Sequence, residues 1–222
     1  MIAPNLLILE DEPGLREVLV RSLRAEGFDA SAVATGGELL ERLASGTPDA
    51  LVIDIGLPDA DGRDVCQALR AHGVVAPVLF LTARDGLTER LAGFAAGGDD
   101  YVTKPFDIEE LAARLHALVR RGDRGGKSEA GGLRFEPGER SVSDGAAKAL
   151  LTPTEFNLLT ALAAQPWRAR TRLELVRAAW PHGAIVHDNT LDVYIARLRR
   201  KLRALPRAPQ IVTVHRSGYR LQ

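Results

Sequence analysis

The chain of 222 residues has very little cysteine and no long apolar segment. Its single cysteine, Cys66, excludes an internal disulfide, which fits a reducing compartment. No apolar run approaches the roughly 20 residues that a membrane-spanning helix needs, and the first residues lack the charged leader of a secretory signal. The five histidines are scattered without the spacing of a zinc site. We therefore expect a cytoplasmic protein without membrane association, in which Cys66 is a small buried helix residue.

The charge of the chain is balanced overall but not along its length. Residues 1–122 hold 12 Lys/Arg and 20 Asp/Glu, whereas residues 123–222 hold 17 and 9. A net charge of −8 is thus followed by one of +8. This asymmetry indicates two modules with different partners, and the basic module is a candidate for binding nucleic acid.

In residues 3–121, short apolar runs alternate with helical patterns. The first helix is marked by a stripe at Leu15, Val18, Leu19 and Leu23. Strands are predicted near 5–10, 30–34, 50–54, 77–82 and 99–103, and further helices near 36–45, 61–71, 86–96 and 107–120. Five strands that alternate with five helices predict an α/β domain with a doubly wound, five-stranded parallel sheet.

The rest of the chain begins with a glycine-rich stretch at residues 122–132, which has five glycines in eleven positions. Such a composition predicts a flexible linker with a root-mean-square reach of about 20 Å. In residues 133–222 the patterns predict strands at 133–135, 140–143 and 147–151, helices at 153–164, 172–179 and 188–203, and a terminal hairpin of 210–214 with 219–221. Thr152 and Glu155 have the spacing of a capping box. These elements describe a winged helix-turn-helix domain.

Polar groups follow four of the predicted parallel strands. They are Glu10 with Asp11, then Asp54, Thr82 and Lys104. The carboxyl ends of parallel strands line one crevice, so these groups are expected to share a pocket. Clustered carboxylates suit Mg²⁺, and a carboxylate beside Mg²⁺ can act as a nucleophile towards phosphorus. The ammonium and the hydroxyl would then hold phosphoryl oxygens.

Residues 5–121 resemble the receiver domain of bacterial response regulators, which has a flavodoxin-like fold. The resemblance is carried by Leu9–Glu12, Asp54–Gly62, Leu81–Arg84 and Asp99–Phe106. It implies that Asp54 accepts a phosphoryl group from a sensor histidine kinase. It also implies that Glu10, Asp11, Asp54 and the Gly56 carbonyl bind Mg²⁺, and that Lys104, before a cis proline, pairs with the phosphoryl group. The only chemistry implied is self-phosphorylation and autodephosphorylation, so the domain is not expected to be an enzyme.

The same resemblance implies a conformational response. The Thr82 hydroxyl would move towards the phosphoryl group and Tyr101 would turn inward; the alternative is that Tyr101 is an ordinary edge-strand aromatic. Gly56 replaces the bulky residue that many members carry, so we expect Gly56 and Arg84 to set the lifetime of the phosphorylated state.

Charges near the fourth and fifth helices resemble those that pair across the family's symmetric homodimer. The pairs expected across this phosphorylation-dependent interface are Arg90 with Glu110 and Asp100 with Arg114. A charged face that is merely solvated is the alternative.

The predicted helix 188–203 combines a buried stripe with many basic residues. Leu191, Ile195, Leu198, Leu202 and Leu205 alternate at spacings of four and three. Five basic residues at 197–203 lie away from this stripe, a pattern typical of a helix in the major groove. A solvated basic helix is the alternative. Trp167 and Trp180 are expected in packing rather than in base stacking.

Residues 133–222 resemble the effector domain of OmpR/PhoB-type regulators through Leu151–Leu159, Asp188–Leu202 and Ile211–Arg220. The resemblance implies that the wing enters the minor groove, where Arg216 would supply a charge because His215 stands in place of a common arginine. The residues expected at double-stranded DNA are Thr190, Tyr194, Arg197, Arg199, Arg200, Lys201 and Arg216.

The two resemblances together imply a DNA-binding transcriptional regulator of a two-component system. Its partners would be a histidine kinase, promoter DNA with repeated half-sites, a second copy of the chain and RNA polymerase. One alternative is a phosphohydrolase with an aspartyl-phosphate intermediate, but Gly56 stands where its second acid is needed and the basic module would have no role. The other is a regulator that binds DNA without phosphorylation, against which the complete polar set at the strand ends argues.

Overall fold

The computed structural model describes residues 3–58, 60–83, 96–120, 128–180 and 188–222. It divides into two compact units, Met1–Val119 and Arg120–Gln222. The helix predicted near 86–96 lies almost entirely outside the described residues, as do Arg84 and Arg90. In the described ranges every helix is too short or too polar to cross a bilayer.

The first unit contains a five-stranded, fully parallel sheet in the order β2-β1-β3-β4-β5. Its strands are β1 (Asn5–Leu9), β2 (Asp29–Val33), β3 (Ala50–Asp54), β4 (Val78–Thr82) and β5 (Asp100–Thr103). Its described helices are α1 (Pro13–Ala25), α2 (Gly36–Ala44), α3 (Gly62–Ala71) and α4 (Ile108–Arg120). This strand order is the flavodoxin-like one, so the predicted doubly wound sheet is confirmed.

Apolar side chains cover both faces of this sheet. Helices α1 and α4 pack on one face, where Leu19 and Leu115 are fully buried. Helices α2 and α3 pack on the other, with Leu39 and Cys66 fully buried. The buried position predicted for Cys66 is therefore confirmed. Because helices cover both faces, the end of the sheet where the strands terminate is where polar groups can gather.

In its described residues, the second unit has two antiparallel sheets, three α-helices and one turn of 3-10 helix at Pro137–Glu139. The first sheet consists of β6 (Ser128–Ala130), β7 (Leu133–Glu136), β8 (Ser141–Ser143) and β9 (Lys148–Leu150). The helices are α5 (Pro153–Ala163), α6 (Arg172–Ala179) and α7 (Asp188–Leu202). The second sheet, in the order β10-β12-β11, consists of β10 (Arg170–Thr171), β11 (Ile211–Val214) and β12 (Gly218–Leu221). Helices followed by the β11–β12 wing match the predicted winged helix-turn-helix.

The start of α5 follows from its sequence. Thr152 accepts a hydrogen bond from the Glu155 amide at 3.4 Å, and the Glu155 carboxylate accepts one from the Thr152 amide at 2.9 Å. This is the predicted capping box, with Pro153 in the first turn. A second box, between Thr171 and Glu174, starts α6. Each box satisfies backbone N–H groups that a helix start would otherwise leave without partners.

Two predictions for this unit need correction. Ser128–Ala130 was assigned to the flexible linker but forms β6, because its backbone pairs with β7 across the turn at Gly131 and Gly132. Trp167 was expected in packing but its side chain is 67% exposed, with a left-handed φ of 71°. Trp180 does pack, with its ring 5.1 Å from that of Tyr194.

Candidate functional site

Three carboxylates meet where the sheet order reverses. The chain leaves β1 towards β2 on one side and leaves β3 towards β4 on the other, which opens a crevice at the carboxyl ends of β1 and β3. Glu10 and Asp11 follow β1, and Asp54 ends β3. One oxygen of each side chain lies within 4.8 Å of the others. The structure therefore brings the predicted acidic residues together.

Lys104 connects two of these carboxylates. Its Nζ lies 2.9 Å from Glu10 Oε2 and 2.9 Å from Asp54 Oδ2. The Lys104 amide donates to the Thr82 carbonyl at 2.7 Å, so the ends of β4 and β5 are held side by side. The Thr82 side chain is buried, and the Lys104–Pro105 peptide is cis, as the resemblance implied.

Burial and charge together shape the electrostatics of the pocket. Burial, together with the negative charge of Asp54, raises the pKa of Glu10 despite the nearby Lys104 ammonium. Burial alone would lower the pKa of Lys104, but hydrogen bonds and charges from Glu10 and Asp54 outweigh it, and that pKa is raised. Three carboxylates thus face one ammonium. Oxygen donors with excess negative charge fit a hard divalent cation, so this donor set suits Mg²⁺.

The segment after Asp54 folds back onto it. Gly56 forms a bridge with Asp61, and the Gly62 amide donates to the Ile55 carbonyl at 3.1 Å. A Cβ on Gly62 would lie 2.0 Å from the Asp54 carbonyl oxygen, far inside contact distance. Glycine at position 62 therefore permits the approach that holds the Asp54 backbone in place.

We expect Gly62→Ala to destabilise the first unit by about 1–3 kcal/mol, because a methyl group against backbone forces the strand end to move. Urea unfolding followed by circular dichroism measures the effect. Gly46→Ala is the matched control, since a Cβ there meets nothing within 4 Å. Equal stabilities of the two variants would contradict this account of the loop.

Gly56 leaves one side of the Asp54 carboxylate open. A Cβ at position 56 would lie 4.0 Å from Asp54 Oδ2. The side chain of any larger residue at this position would therefore begin beside the carboxylate. The Gly56 carbonyl, predicted as a metal ligand, belongs to the same folded-back segment.

Three described residues that were predicted for the conformational response or the dimer, Tyr101, Asp100 and Arg114, lie on or contact the edge strand β5. Tyr101 is half-buried and packs against the apolar cluster of α2 and α3. Arg114 lies 3.3 Å from Asp100 and 2.7 Å from Glu110 within the same chain. The pair expected between two chains, Asp100 with Arg114, thus exists here as a contact inside one chain; its intermolecular counterpart stays a prediction.

The apolar stripe of α7 is confirmed, but the structure changes which residues can reach DNA. Leu191, Ile195 and Leu198 are buried. Tyr194 and Thr190 are also fully buried, and Tyr194 contacts Trp180. The prediction that these two side chains contact DNA is therefore wrong for this structure, because they pack against the rest of the unit.

Two of the predicted basic residues have structural roles. Lys201 Nζ lies 2.5 Å from the buried Glu155 carboxylate and 2.8 Å from the Leu150 carbonyl. Arg199 donates to the Ile211 carbonyl at 2.8 Å and to the Thr213 hydroxyl at 3.0 Å. Both side chains are half-buried and connect α7 to its surroundings; that they also contact DNA stays a prediction.

Two of the other predicted basic residues are more accessible, and Arg197 is half-buried like Arg199 and Lys201. Arg200 and Arg216 are exposed, and Arg216, at the wing tip, has a left-handed φ of 58°. Arg197 is half-buried with its guanidinium 5.2 Å from the centre of the Tyr194 ring. Arg203, also exposed, extends this basic face by one turn. These residues form the candidate nucleic-acid interface.

A polar cluster that the sequence reasoning missed joins α6, α7 and the wing. The Arg172 guanidinium lies 2.8 Å from Asp192 Oδ1, and the Tyr219 hydroxyl donates to the same oxygen. Burial opposes ionisation of Asp192, but these two hydrogen bonds outweigh it and lower its pKa. The cluster holds the wing against α7. Only the residue types were visible in the sequence, since the three positions are far apart along the chain.

Comparisons with known proteins agree with this architecture. A family model for the response regulator receiver domain matches residues 6–116, and a model for the C-terminal domain of transcriptional regulatory proteins matches residues 146–221. The response regulator MprA of Mycobacterium tuberculosis (strain ATCC 25618 / H37Rv) is 41% identical, over 98% of this chain and 97% of that protein. MprA of Mycobacterium ulcerans is 42% identical with the same coverage.

Two solved structures match this chain over nearly its full length. A mutant of RitR has a TM-score of 0.76 at 27% identity, and the match covers 99% of both chains. DrrB of Thermotoga maritima, described as an OmpR/PhoB homolog, has a TM-score of 0.52 at 27% identity, again over 99% of both. The chain therefore belongs to the two-component response regulators of the OmpR/PhoB type, with a receiver domain followed by a DNA-binding transcriptional regulatory domain.

Proposed function

We propose that this protein regulates transcription in response to phosphorylation of Asp54 by a sensor histidine kinase. The observation that carries the proposal is the position of Lys104 Nζ, 2.9 Å from both Glu10 and Asp54, beside the Asp11 carboxylate. A carboxylate that shares an ammonium in an acidic crevice has both the nucleophile and the charge balance that phosphoryl transfer needs.

In the proposed reaction, an Asp54 carboxylate oxygen attacks phosphorus as the bond to the kinase imidazole nitrogen breaks. The electron pair of that bond stays on the imidazole. The Lys104 ammonium and the Thr82 hydroxyl would hold phosphoryl oxygens. Glu10, Asp11, Asp54 and the Gly56 carbonyl would hold Mg²⁺, which when bound neutralises the charge on the phosphoryl oxygens. Hydrolysis of the acyl phosphate on Asp54 returns the residue to its free carboxylate. The open side at Gly56, together with Arg84, is proposed to set the rate of this hydrolysis.

Phosphorylation would favour the conformation in which the Thr82 hydroxyl has moved towards the phosphoryl group and Tyr101 has turned inward. In that conformation two copies would pair, with Arg90 facing Glu110 and Asp100 facing Arg114. Two effector domains held together would then bind repeated half-sites in promoter DNA and contact RNA polymerase. A regulator of this kind works at the chromosome, so the cytoplasm is its proposed location.

Intact-mass measurement after incubation with Mg²⁺ and acetyl phosphate tests the proposal. The wild-type chain is expected to gain the mass of one phosphoryl group, and Asp54→Asn is expected to gain none. Omission of Mg²⁺ should prevent the gain in the wild type. A lasting single adduct supports a regulator rather than an enzyme.

Other results would favour the alternatives. Continuous turnover of acetyl phosphate without a lasting adduct would favour a phosphohydrolase. A wild-type chain that acquires no adduct with Mg²⁺ present would favour a regulator that binds DNA without phosphorylation.

A further inference from the structure

One arginine on α1 holds the whole loop that carries Glu10 and Asp11. Arg16 Nη1 donates to the Glu10 carbonyl at 2.8 Å and to the Asp11 carbonyl at 2.8 Å. The Arg16 amide donates to the Glu12 carbonyl at 2.9 Å. The bond to Glu12 is the ordinary backbone bond of the first helical turn, so the guanidinium itself holds two of the three residues that connect β1 to α1.

The carboxylates of this loop lie close to other negative charges. The loop supplies two of the three carboxylates in the acidic crevice, and these carboxylates repel one another until a cation arrives. Lys104 offsets this repulsion at Glu10 and Asp54. Among the described residues, no hydrogen bond or ion pair reaches the Asp11 carboxylate. The direction of the Asp11 side chain therefore depends on its backbone, which Arg16 holds.

Arg16 also contributes positive charge without occupying the crevice. Its guanidinium binds the backbone carbonyls of Glu10 and Asp11 rather than their carboxylates. A cation at the carbonyls lowers the cost of collecting negative charge in this loop, and it leaves the carboxylate oxygens available to a metal.

We propose that Arg16 is a positioning residue for the Mg²⁺ site, acting through the backbone carbonyls of Glu10 and Asp11. This inference rests on the proposed metal-dependent phosphorylation and adds a residue that touches neither metal nor phosphoryl group. Without the hydrogen bonds of the Arg16 side chain, the loop can adopt other conformations. Binding of Mg²⁺ must then reorder the carboxylates, and this cost lowers the affinity for Mg²⁺. The chemical step itself is unaffected once the metal is bound.

The test compares Arg16→Met with Arg21→Met in the full chain. Arg21 lies on the same helix, is exposed, and makes no hydrogen bond or ion pair among the described residues. Isothermal titration calorimetry gives the Mg²⁺ dissociation constant, and intact mass gives the rate of phosphorylation by acetyl phosphate at limiting and saturating Mg²⁺. Partners that orient metal ligands are typically worth about 10- to 100-fold in affinity. We expect a loss of this size in Arg16→Met, none in Arg21→Met, and a near wild-type rate at saturating Mg²⁺.

Arg16→Lys provides the conservative rescue, because one ammonium can donate to both carbonyls; it should recover most of the lost affinity. If Arg16→Met binds Mg²⁺ as tightly as Arg21→Met, or only loses thermal stability, Arg16 is a helix–loop contact and the inference is overturned. If Arg16→Met does not fold, unchanged Mg²⁺ affinity in Arg16→Gln overturns it equally. A wild-type chain that neither binds Mg²⁺ nor takes up a phosphoryl group would instead refute the proposed function.

Discussion

Lys201→Met is expected to lower the free energy of unfolding of the second unit by about 3 kcal/mol. Lys201 lies 2.5 Å from Glu155, whose side chain is only 3% exposed. Removing the ammonium leaves a buried carboxylate without its cation, which is far more costly than losing a surface ion pair. Both tryptophans, Trp167 and Trp180, belong to this unit, so urea unfolding followed by tryptophan fluorescence measures the effect directly.

Arg200→Ala is the matched comparison, one residue earlier on the same helix. Arg200 is exposed, so its removal should leave stability unchanged. It should weaken DNA binding and, if Arg200 contacts a phosphate, reduce the dependence of log affinity on log salt by about one. The assignment of these two residues would be wrong if Lys201→Met kept full stability and lost DNA affinity as Arg200→Ala does.

Lys104→Met is expected to destabilise the first unit by about 3 kcal/mol when Mg²⁺ is absent. Its ammonium is shared by Glu10, with a side chain 1% exposed, and Asp54, with one 8% exposed. Without Lys104, these carboxylates face each other and Asp11 with no compensating charge. Mg²⁺ should restore most of the loss, because it supplies the missing positive charge and binds only the folded state.

Circular dichroism and tryptophan fluorescence together distinguish destabilisation of the first unit from destabilisation of the whole chain. The change should appear in circular dichroism but not in tryptophan fluorescence, which reports the second unit. Lys148→Met is the control: Lys148 also contacts two carboxylates, Glu136 and Glu139, but is exposed, and its loss should go undetected. A Lys104→Met chain as stable as wild type without Mg²⁺ would show that the crevice needs no internal cation.

The first unit and its crevice were largely predictable from sequence. Alternating apolar runs and helical stripes determine the sheet, and the strand ends then place Glu10, Asp54, Thr82 and Lys104 by geometry alone. The role of Arg16 was not predictable in the same way. Nothing in an arginine on a helix shows that its guanidinium turns back to the carbonyls of the preceding loop.

The second unit shows where the reasoning reached its limit. A run of basic residues on α7 indicated DNA, yet Arg199 and Lys201 make their contacts within the unit. Charge alone cannot distinguish an arginine that contacts DNA from one that anchors a wing. Tyr194 was a different case: it lies three residues after Leu191 and four before Leu198, so the apolar stripe already placed it on the buried face.

Short strands were missed for a tertiary reason. β10 has only two residues, and it exists because Arg170 and Thr171 pair with Tyr219 and Gly218 of the wing. β6 lies in a segment whose glycines and charges resemble a linker, and its pairing with β7 is what orders it. Local composition does not show whether a segment has a partner strand. In β6 and β10, pairing with a neighbouring strand therefore outweighed the intrinsic propensity of the segment.

The affinity of the full chain for a DNA site selected from a random library, measured with and without Mg²⁺ and acetyl phosphate, tests the central claim most directly. Coupling between two sites of a protein is typically worth about 5- to 150-fold in affinity. We predict that phosphorylation tightens binding of the wild type within that range and leaves Asp54→Asn unchanged. Equal affinities for the phosphorylated and unphosphorylated wild type, or the same gain in Asp54→Asn, would contradict the account.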